Sequence, residues 1–222
     1  MLRQVALSIA VLSFASSLSS CGSSTSDLSL NVTWSFQTGD CATNNVTTVR
    51  VTWGPSGGTL TDVDFPCAAG GGKLGELSPS GGSYTIRAEG LDAGGVARVT
   101  HLGTSLMVKS SGTGGEPVAL TLRPKPADVV VTWTLGATGC PSSVVLPYFI
   151  SIYRPPAQAG GALTDKVKEE QETCSARTAT LTSIAPGAYV VEIDSRAVQP
   201  AIRATKDVTV VAGENAQVAF QL

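Results

Sequence analysis

The chain is poor in the residues from which most active centres and nucleic-acid surfaces are built. Of its 222 residues, 14% are charged, 5% are aromatic and one is a histidine. The formal net charge of −2 argues against a nucleic-acid binder, which needs a dense basic surface to displace counterions from phosphates. A single imidazole leaves little material for a metal site or for acid–base catalysis, so we predict no cofactor, no metal and no enzyme. The 24 Gly and 12 Pro also argue against a helical bundle.

The first twenty residues have the pattern of a targeting segment. Arg3 supplies a positive charge, and the apolar stretch from Val5 to Leu12 is too short to cross a bilayer. Leu18-Ser19-Ser20-Cys21 then resembles the lipobox of bacterial lipoproteins, an apolar residue and two small ones before a cysteine. The resemblance implies cleavage before Cys21 and acylation of that cysteine, which would hold the chain on a lipid bilayer. The alternative is an ordinary secretory signal with a cysteine nearby by chance.

The residue after Cys21 carries information about sorting. Gly22 stands where the inner-membrane retention signal of many such lipoproteins has Asp, so the resemblance implies the bacterial outer membrane. Residues 21–27 would then be the lipidated cysteine and a flexible polar tether. The rest of the chain has no apolar run of spanning length.

Two copies of one unit make up the remainder. Val32-Thr33-Trp34 recurs as Val131-Thr132-Trp133, and Gly82-Ser83-Tyr84 recurs as Gly187-Ala188-Tyr189. The second copy carries an insertion around Pro155 to Glu172. We therefore predict a signal peptide at residues 1–20, domains at residues 28–123 and 127–222, and a stiff, proline-containing linker at residues 124–126.

The cysteine count is consistent with the same localisation. Five cysteines are odd in number, and lipidation of Cys21 leaves four, for which three pairings exist. Their spacing lacks the short C-x-x-C character of metal or redox sites, so disulfides in an oxidising compartment are expected. Because each copy has one early and one middle cysteine, duplication favours pairing within each copy. The predicted bridges are Cys41–Cys67 and Cys140–Cys174.

Alternation of apolar and polar residues predicts the fold. Leu28, Leu30, Val32, Trp34 and Phe36 share one face of a first strand, and Val129, Val131, Trp133 and Leu135 repeat the phase. Short strands separated by Gly, Pro, Ser and Asp clusters predict an all-β chain with two tandem antiparallel β-sandwich domains of immunoglobulin-like or prealbumin-like type. We expect both tryptophans to pack in the core rather than to stack on sugars. The charged stretch Asp165 to Gln171 is predicted to be a solvated loop, with a short helix as the alternative.

The end of the chain carries a further resemblance. The segments Ala185-Pro186-Gly187-Ala188-Tyr189, Val208-Thr209-Val210 and Val218-Ala219-Phe220-Gln221-Leu222 resemble the carboxypeptidase-regulatory-like or prealbumin-like sandwiches of bacterial surface proteins. The resemblance implies a spacer, stalk or binding domain.

One catalytic pattern occurs, and its context argues against it. Gly54-Pro55-Ser56-Gly57-Gly58 fits G-x-S-x-G, and Asp92 and His101 follow in hydrolase order. The mechanism needs Ser56 on a strand-to-helix turn, whereas a Gly-rich hairpin loop is expected here. Asp62 and Asp64 share a strand face, but two carboxylates are too few to predict Ca²⁺.

The insertion is the better candidate for recognition. Tyr153 and Arg154 open it, and loops on a rigid sandwich commonly carry binding residues. We therefore predict a non-enzymatic, lipid-anchored binding or spacer module with a protein or glycan ligand. The alternatives are a polysaccharide-associated accessory protein and a hydrolase using Ser56.

Overall fold

The computed structural model describes residues 29–77, 81–108, 117–136, 147–196 and 202–222, and for residues 102 and 104–108 it describes the backbone alone. The predicted signal segment, Cys21 and Cys140 lie outside the described residues. Lipidation of Cys21 and the Cys140–Cys174 bridge therefore stay predictions.

The described chain folds almost entirely into β-strands. Two short 3₁₀ turns, Cys67–Ala69 and Cys174–Ala176, interrupt them. No helix formed by these residues has the length and apolar character needed to cross a membrane. The strands are β1 Ser29–Phe36, β2 Thr48–Pro55, β3 Thr61–Pro66, β4 Gly71–Glu76, β5 Gly82–Leu91, β6 Ala97–Val108, β7 Val118–Pro124, β8 Ala127–Thr134, β9 Pro147–Tyr153, β10 Lys166–Thr173, β11 Thr178–Ile184, β12 Gly187–Asp194, β13 Arg203–Val210 and β14 Ala216–Gln221.

The two halves share one strand order. In residues 29–124, the N-terminal unit, β3-β2-β5-β6 and β7-β1-β4 form the two layers, joined at one corner by a short β6–β7 pairing. In residues 127–222, the C-terminal unit, the layers are the separate sheets β10-β9-β12-β13 and β11-β8-β14. The all-β tandem sandwich is thereby confirmed. The first and last strands of each unit, β1 with β7 and β8 with β14, pair in parallel, whereas the other neighbouring strands in the layers pair antiparallel.

Alternation along the strands places the core as expected. Val32, Val131 and Trp133 are each no more than 1% exposed, and Trp34 is 8% exposed. The described residues form two separate clusters of buried apolar side chains, one within each unit. Burying a large side chain of this kind contributes about 2–3 kcal/mol. Neither tryptophan is therefore available as a sugar-stacking platform.

Each buried tryptophan is tied to the middle cysteine of its own unit. The Trp34 indole N–H donates to the carbonyl of Cys67 at 3.1 Å, and the Trp133 indole N–H donates to the carbonyl of Cys174 at 3.2 Å. Cys41 and Cys67 form the predicted disulfide, with an S–S distance of 2.05 Å. Cys174 is buried and is also disulfide-bonded. The repeated contact satisfies a buried N–H that would otherwise cost free energy.

The linker is fixed by hydrogen bonds on both sides. The Lys125 N–H donates to the carbonyl of Arg98 at 2.9 Å, and the Gly213 N–H donates to the carbonyl of Lys125 at 3.1 Å. Arg98, 9% exposed, donates to Asp92 at 2.6 and 2.8 Å, to the Ala212 carbonyl at 3.1 Å, and pairs with Glu214. Asp92 and Arg98 belong to the N-terminal unit, whereas the turn around Gly213 belongs to the C-terminal unit. These contacts hold the two units together.

The charged stretch that begins at Asp165 is a strand, so the prediction of a loop or a short helix is wrong. Lys166–Thr173 forms β10, the outer neighbour of β9. Its charged side chains are exposed or half-buried, as is common on an edge strand, where charge prevents pairing with other chains. The inserted loop is thereby confined to residues 154–165.

Candidate functional site

The two units differ on the outer face of their four-stranded layers. Alternation places Arg50 and Thr52 of β2 and Arg87 of β5 on this face in the N-terminal unit. The corresponding registers place Phe149 and Ser151 of β9 and Glu192 of β12 there in the C-terminal unit. The outer face of a sandwich normally meets water, so its polar side chains should be exposed.

In the N-terminal unit this expectation holds. Arg50 pairs with Asp64 at 2.8 Å, with both side chains more than 40% exposed. The hydroxyl of Thr52 donates to Asp62 at 2.6 Å. The pairing with Arg50 lowers the pKa of Asp64, as expected for a carboxylate that accepts from a guanidinium. Asp62 and Asp64, the two carboxylates considered for Ca²⁺, are thus both bound by protein side chains. No candidate metal cluster occurs among the described residues.

In the C-terminal unit polar side chains on the same face are buried. Ser151 is 1% exposed and Glu192 is 2% exposed. The connection between β9 and β10 spans residues 154–165. It is longer than the equivalent connection between β2 and β3 in the N-terminal unit, which spans residues 56–60. Part of this longer loop, residues 155–163, borders the same cleft as Glu192.

Glu192 is held by one cation. Its Oε2 accepts from Arg203 Nε at 2.6 Å and from a terminal nitrogen of the same guanidinium at 2.5 Å. This pairing raises the pKa of Arg203 above its usual value. The other oxygen, Oε1, has the hydroxyl of Tyr153 at 3.4 Å. A buried carboxylate without such partners would be strongly unfavourable, and these contacts supply the partners.

A second carboxylate on this face is shared by three donors. Glu169 Oε2 accepts from Lys166 at 2.5 Å, from the hydroxyl of Ser151 at 2.7 Å and from Arg196 at 2.7 Å. Led by the contact with Lys166, these bonds lower the pKa of Glu169 to about 2. Arg196 also lies 4.1 Å from the centre of the Phe149 ring, a cation–π contact.

The two residues predicted to open the recognition loop lie in different surroundings. Tyr153 is 6% exposed and ends β9 beside Glu192, so its ring is a supporting element rather than a free contact. Arg154 is exposed and its guanidinium lies 3.4 Å from the Asp165 carboxylate, across the two ends of the loop. The loop itself, rather than Tyr153, is the part that a ligand could reach.

An open cleft of about 850 Å³ lies between this loop and the sheet. Part of its wall is apolar and comes from Pro155, Pro156, Leu163 and Val190. The polar part of its lining includes Glu192, Arg203, Thr205 and Asp207. Pockets that bind small ligands combine apolar walls with a few polar groups in this way.

Sequence reasoning found the loop but missed Glu192, Arg203 and Glu169. The available signal was a charged residue inside the apolar run Tyr189-Val190-Val191-Glu192-Ile193. Alternation places Glu192 on the outer face, where a glutamate is ordinarily exposed. It is instead buried beside Tyr153 and Arg203, and these contacts could not be read from the sequence.

The hydrolase constellation is not assembled. Ser56 lies beside the beginning of β5, with its N–H donating to the Ser83 carbonyl at 2.8 Å and its Oγ at 3.0 Å from that of Ser83. Asp92 follows the other end of β5, about 30 Å away at 3.3 Å per strand residue. Asp92 accepts from Arg98. The Ser56 motif is a hairpin turn, not a nucleophile elbow.

His101, the third residue of the hydrolase pattern, contacts the backbone of a neighbouring strand. It lies on β6, between β5 and β7 in the sheet order, and is half-buried. Its Nδ1 is 3.0 Å from the carbonyl oxygen and 3.2 Å from the amide nitrogen of Thr121. The ring therefore bridges β6 and β7 just beyond their short backbone pairing.

No protein-family model and no curated protein matches the chain. Among solved structures, a Bacteroides ovatus protein described as a candidate adhesin is 11% identical with a TM-score of 0.40, covering 88% of this chain and 87% of that one. The fimbrial anchor protein Mfa2 of Porphyromonas gingivalis is 14% identical with a TM-score of 0.31, covering 79% and 82%. The Bacillus anthracis TIE protein is 14% identical with a TM-score of 0.36, and the match covers 89% of this chain but 34% of that protein.

Proposed function

We propose that the chain is a non-enzymatic binding or spacer module of the bacterial envelope, anchored in the outer membrane through acylated Cys21. Residues 1–20 are removed as a signal peptide, and residues 21–27 tether two sandwich domains at 28–123 and 127–222. The lipobox-like residues before Cys21 and Gly22 after it support the anchor and the sorting. The acyl chains supply the bilayer contact.

The observation that carries a binding role is the difference between the two outer faces. The N-terminal unit exposes self-contained ion pairs such as Arg50–Asp64. The C-terminal unit has a cleft beneath its longer loop, lined by apolar groups and by the Glu192–Arg203 pair. The N-terminal unit then acts as a spacer, and the hydrogen-bonded linker at Lys125 presents the C-terminal unit to a protein or glycan ligand.

Intact mass of the membrane-extracted protein tests the anchor and the sulfur assignments. The account expects a chain beginning at Cys21 that carries acyl mass and gains two hydrogens for each of two bridges on reduction. A non-acylated chain, or four reduced thiols, would contradict it.

An esterase assay tests the non-enzymatic part. We expect no hydrolysis above background from the native chain and none removed by Ser56→Ala. Activity that disappears with this substitution would establish the hydrolase alternative. The matched control is Ser83→Ala, which removes the hydroxyl beside Ser56 without touching the motif.

A further inference from the structure

The cleft in the C-terminal unit has a regular polar floor. Val190 and Glu192 of β12 stand opposite Asp207 and Thr205 of β13 in an antiparallel register. All four side chains line the cleft. Opposite residues in such a pair lie about 5 Å apart, and residues two apart along a strand lie about 7 Å apart. The floor therefore presents three polar side chains and one apolar side chain within a patch comparable with a sugar ring.

Glu192 has unused capacity to accept hydrogen bonds. Its Oε2 is occupied by two bonds from Arg203. Its Oε1 is 3.4 Å from the Tyr153 hydroxyl, whereas a strong O–H···O⁻ bond is about 2.5–2.7 Å long. A carboxylate oxygen has two lone pairs, so Oε1 can accept from a further donor. Because the Glu192 side chain is 3% exposed, its role in the cleft is to hold Arg203 in place, and the exposed polar groups beside it are the ones a ligand can reach.

The remaining groups favour a neutral ligand with several hydroxyls. Thr205 can donate or accept, and the exposed Asp207 carboxylate can accept from two neighbouring hydroxyls. Arg203 compensates the charge of Glu192. Among the described ion pairs none involves Asp207, so its negative charge would repel an anionic ligand. Pro155, Pro156 and Val190 provide apolar surface for the C–H faces of a sugar.

From these observations we propose that the cleft binds a carbohydrate, with the exposed side chains of Thr205 and Asp207 exchanging hydrogen bonds with its hydroxyl groups. This inference rests on the proposed binding function and names its site and ligand class. The N-terminal unit offers an internal comparison, because Thr85 and Arg87 occupy the positions of Val190 and Glu192. We expect no carbohydrate site there.

An NMR titration of the whole chain after the signal segment, residues 21–222, tests the proposal. The probes are maltotriose, cellotriose and N-acetylchitotriose, each added up to about 10 mM, which detects a Kd near 1 mM. We expect at least one sugar to shift the amides of residues 155–163 and 203–207. Asp207→Ala should weaken that binding about tenfold, the effect of losing one charged hydrogen bond.

One control variant and one further site variant keep the result interpretable. Asp62→Ala removes an exposed carboxylate from an edge strand of the N-terminal unit and should leave the Kd unchanged. Thr205→Val keeps the shape of an exposed side chain while removing its hydroxyl, and it should weaken binding while the amide spectrum stays that of the folded chain.

The outcomes separate this inference from the proposed function. No shift with any of the three sugars, shifts confined to other surfaces, or equal effects of Asp207→Ala and Asp62→Ala would overturn the carbohydrate site. A proline-rich peptide that moves the cleft amides when the sugars do not would also overturn it. None of these results alters the intact-mass measurement, on which the anchor and the bridges are judged.

Discussion

Replacing Gly213 by alanine should open the contact between the two units. Gly213 has φ +69°, and a Cβ at this position would overlap the carbonyl oxygen of Ala97 in the N-terminal unit. The matched control is Gly57→Ala, because Gly57 has φ +80° and a Cβ there would meet nothing within 4 Å. Both substitutions carry the left-handed backbone penalty of about 1–2 kcal/mol. Their difference therefore isolates the contact at the junction.

The size of that difference follows from the bonds that the Gly213 turn makes. Its displacement removes the Gly213–Lys125 backbone hydrogen bond and the bond from Arg98 to the Ala212 carbonyl. These contribute about 1 and about 2 kcal/mol, the second being charge-assisted. We therefore expect a loss of about 3 kcal/mol beyond that in Gly57→Ala.

Amide hydrogen exchange measures this loss at position 213 itself. A loss of about 3 kcal/mol corresponds to roughly 100-fold faster exchange of the amide at position 213. Small-angle scattering should show a larger radius of gyration for Gly213→Ala and an unchanged one for Gly57→Ala. Equal exchange rates at position 213 in the two variants, with equal radii, would refute a fixed junction.

Three further predictions concern the individual units. Cys41→Ala opens a disulfide that spans 26 residues, so urea unfolding should show a loss of about 3.5 kcal/mol from the N-terminal unit, unchanged by reductant. Trp133→Phe removes the N–H donor to a buried carbonyl and should lower the free energy of unfolding by about 1–3 kcal/mol. Because the contact is repeated in the N-terminal unit, Trp34→Phe should lower it by a similar amount, as measured by urea unfolding. The pKa of Glu169 is lowered from 4.5 to about 2, so its stabilising contribution is complete above pH 4.5 and is lost as the pH falls towards 2. Glu169→Gln should therefore flatten the acid limb of the stability profile, and an unchanged limb would contradict the assigned network.

Much of the fold could be predicted because it depends on local pattern. The alternation around Trp34 and Trp133 identifies inward-facing positions without knowledge of their partners. Duplication then supplies long-range information that single sequences usually lack, since one bridge within a unit implies its counterpart. Cys41–Cys67 follows from this reasoning. The parallel pairing of first and last strands does not, because strand direction within a layer depends on chain path.

The candidate site was less predictable because it depends on tertiary contacts. The stretch Lys166–Thr173 is rich in charge, and composition alone suggested a loop or a helix. Pairing with β9 makes it a strand, because edge position allows its charged side chains to reach water. In the sequence, Glu192 similarly looks like an ordinary surface residue, whereas in the fold it is buried beside Tyr153 and Arg203.

Carboxylate footprinting by mass spectrometry tests most directly the claim that two copies of one sandwich have diverged on a single face. The side chain of Glu192 is 3% exposed, whereas that of Asp64 on the outer face of the N-terminal unit is 46% exposed. Under native conditions a water-soluble carbodiimide should modify Asp64 readily and leave Glu192 unmodified, and the two should react alike after unfolding. Equal modification of both residues in the folded protein would contradict the covered face, and with it the site in the C-terminal unit.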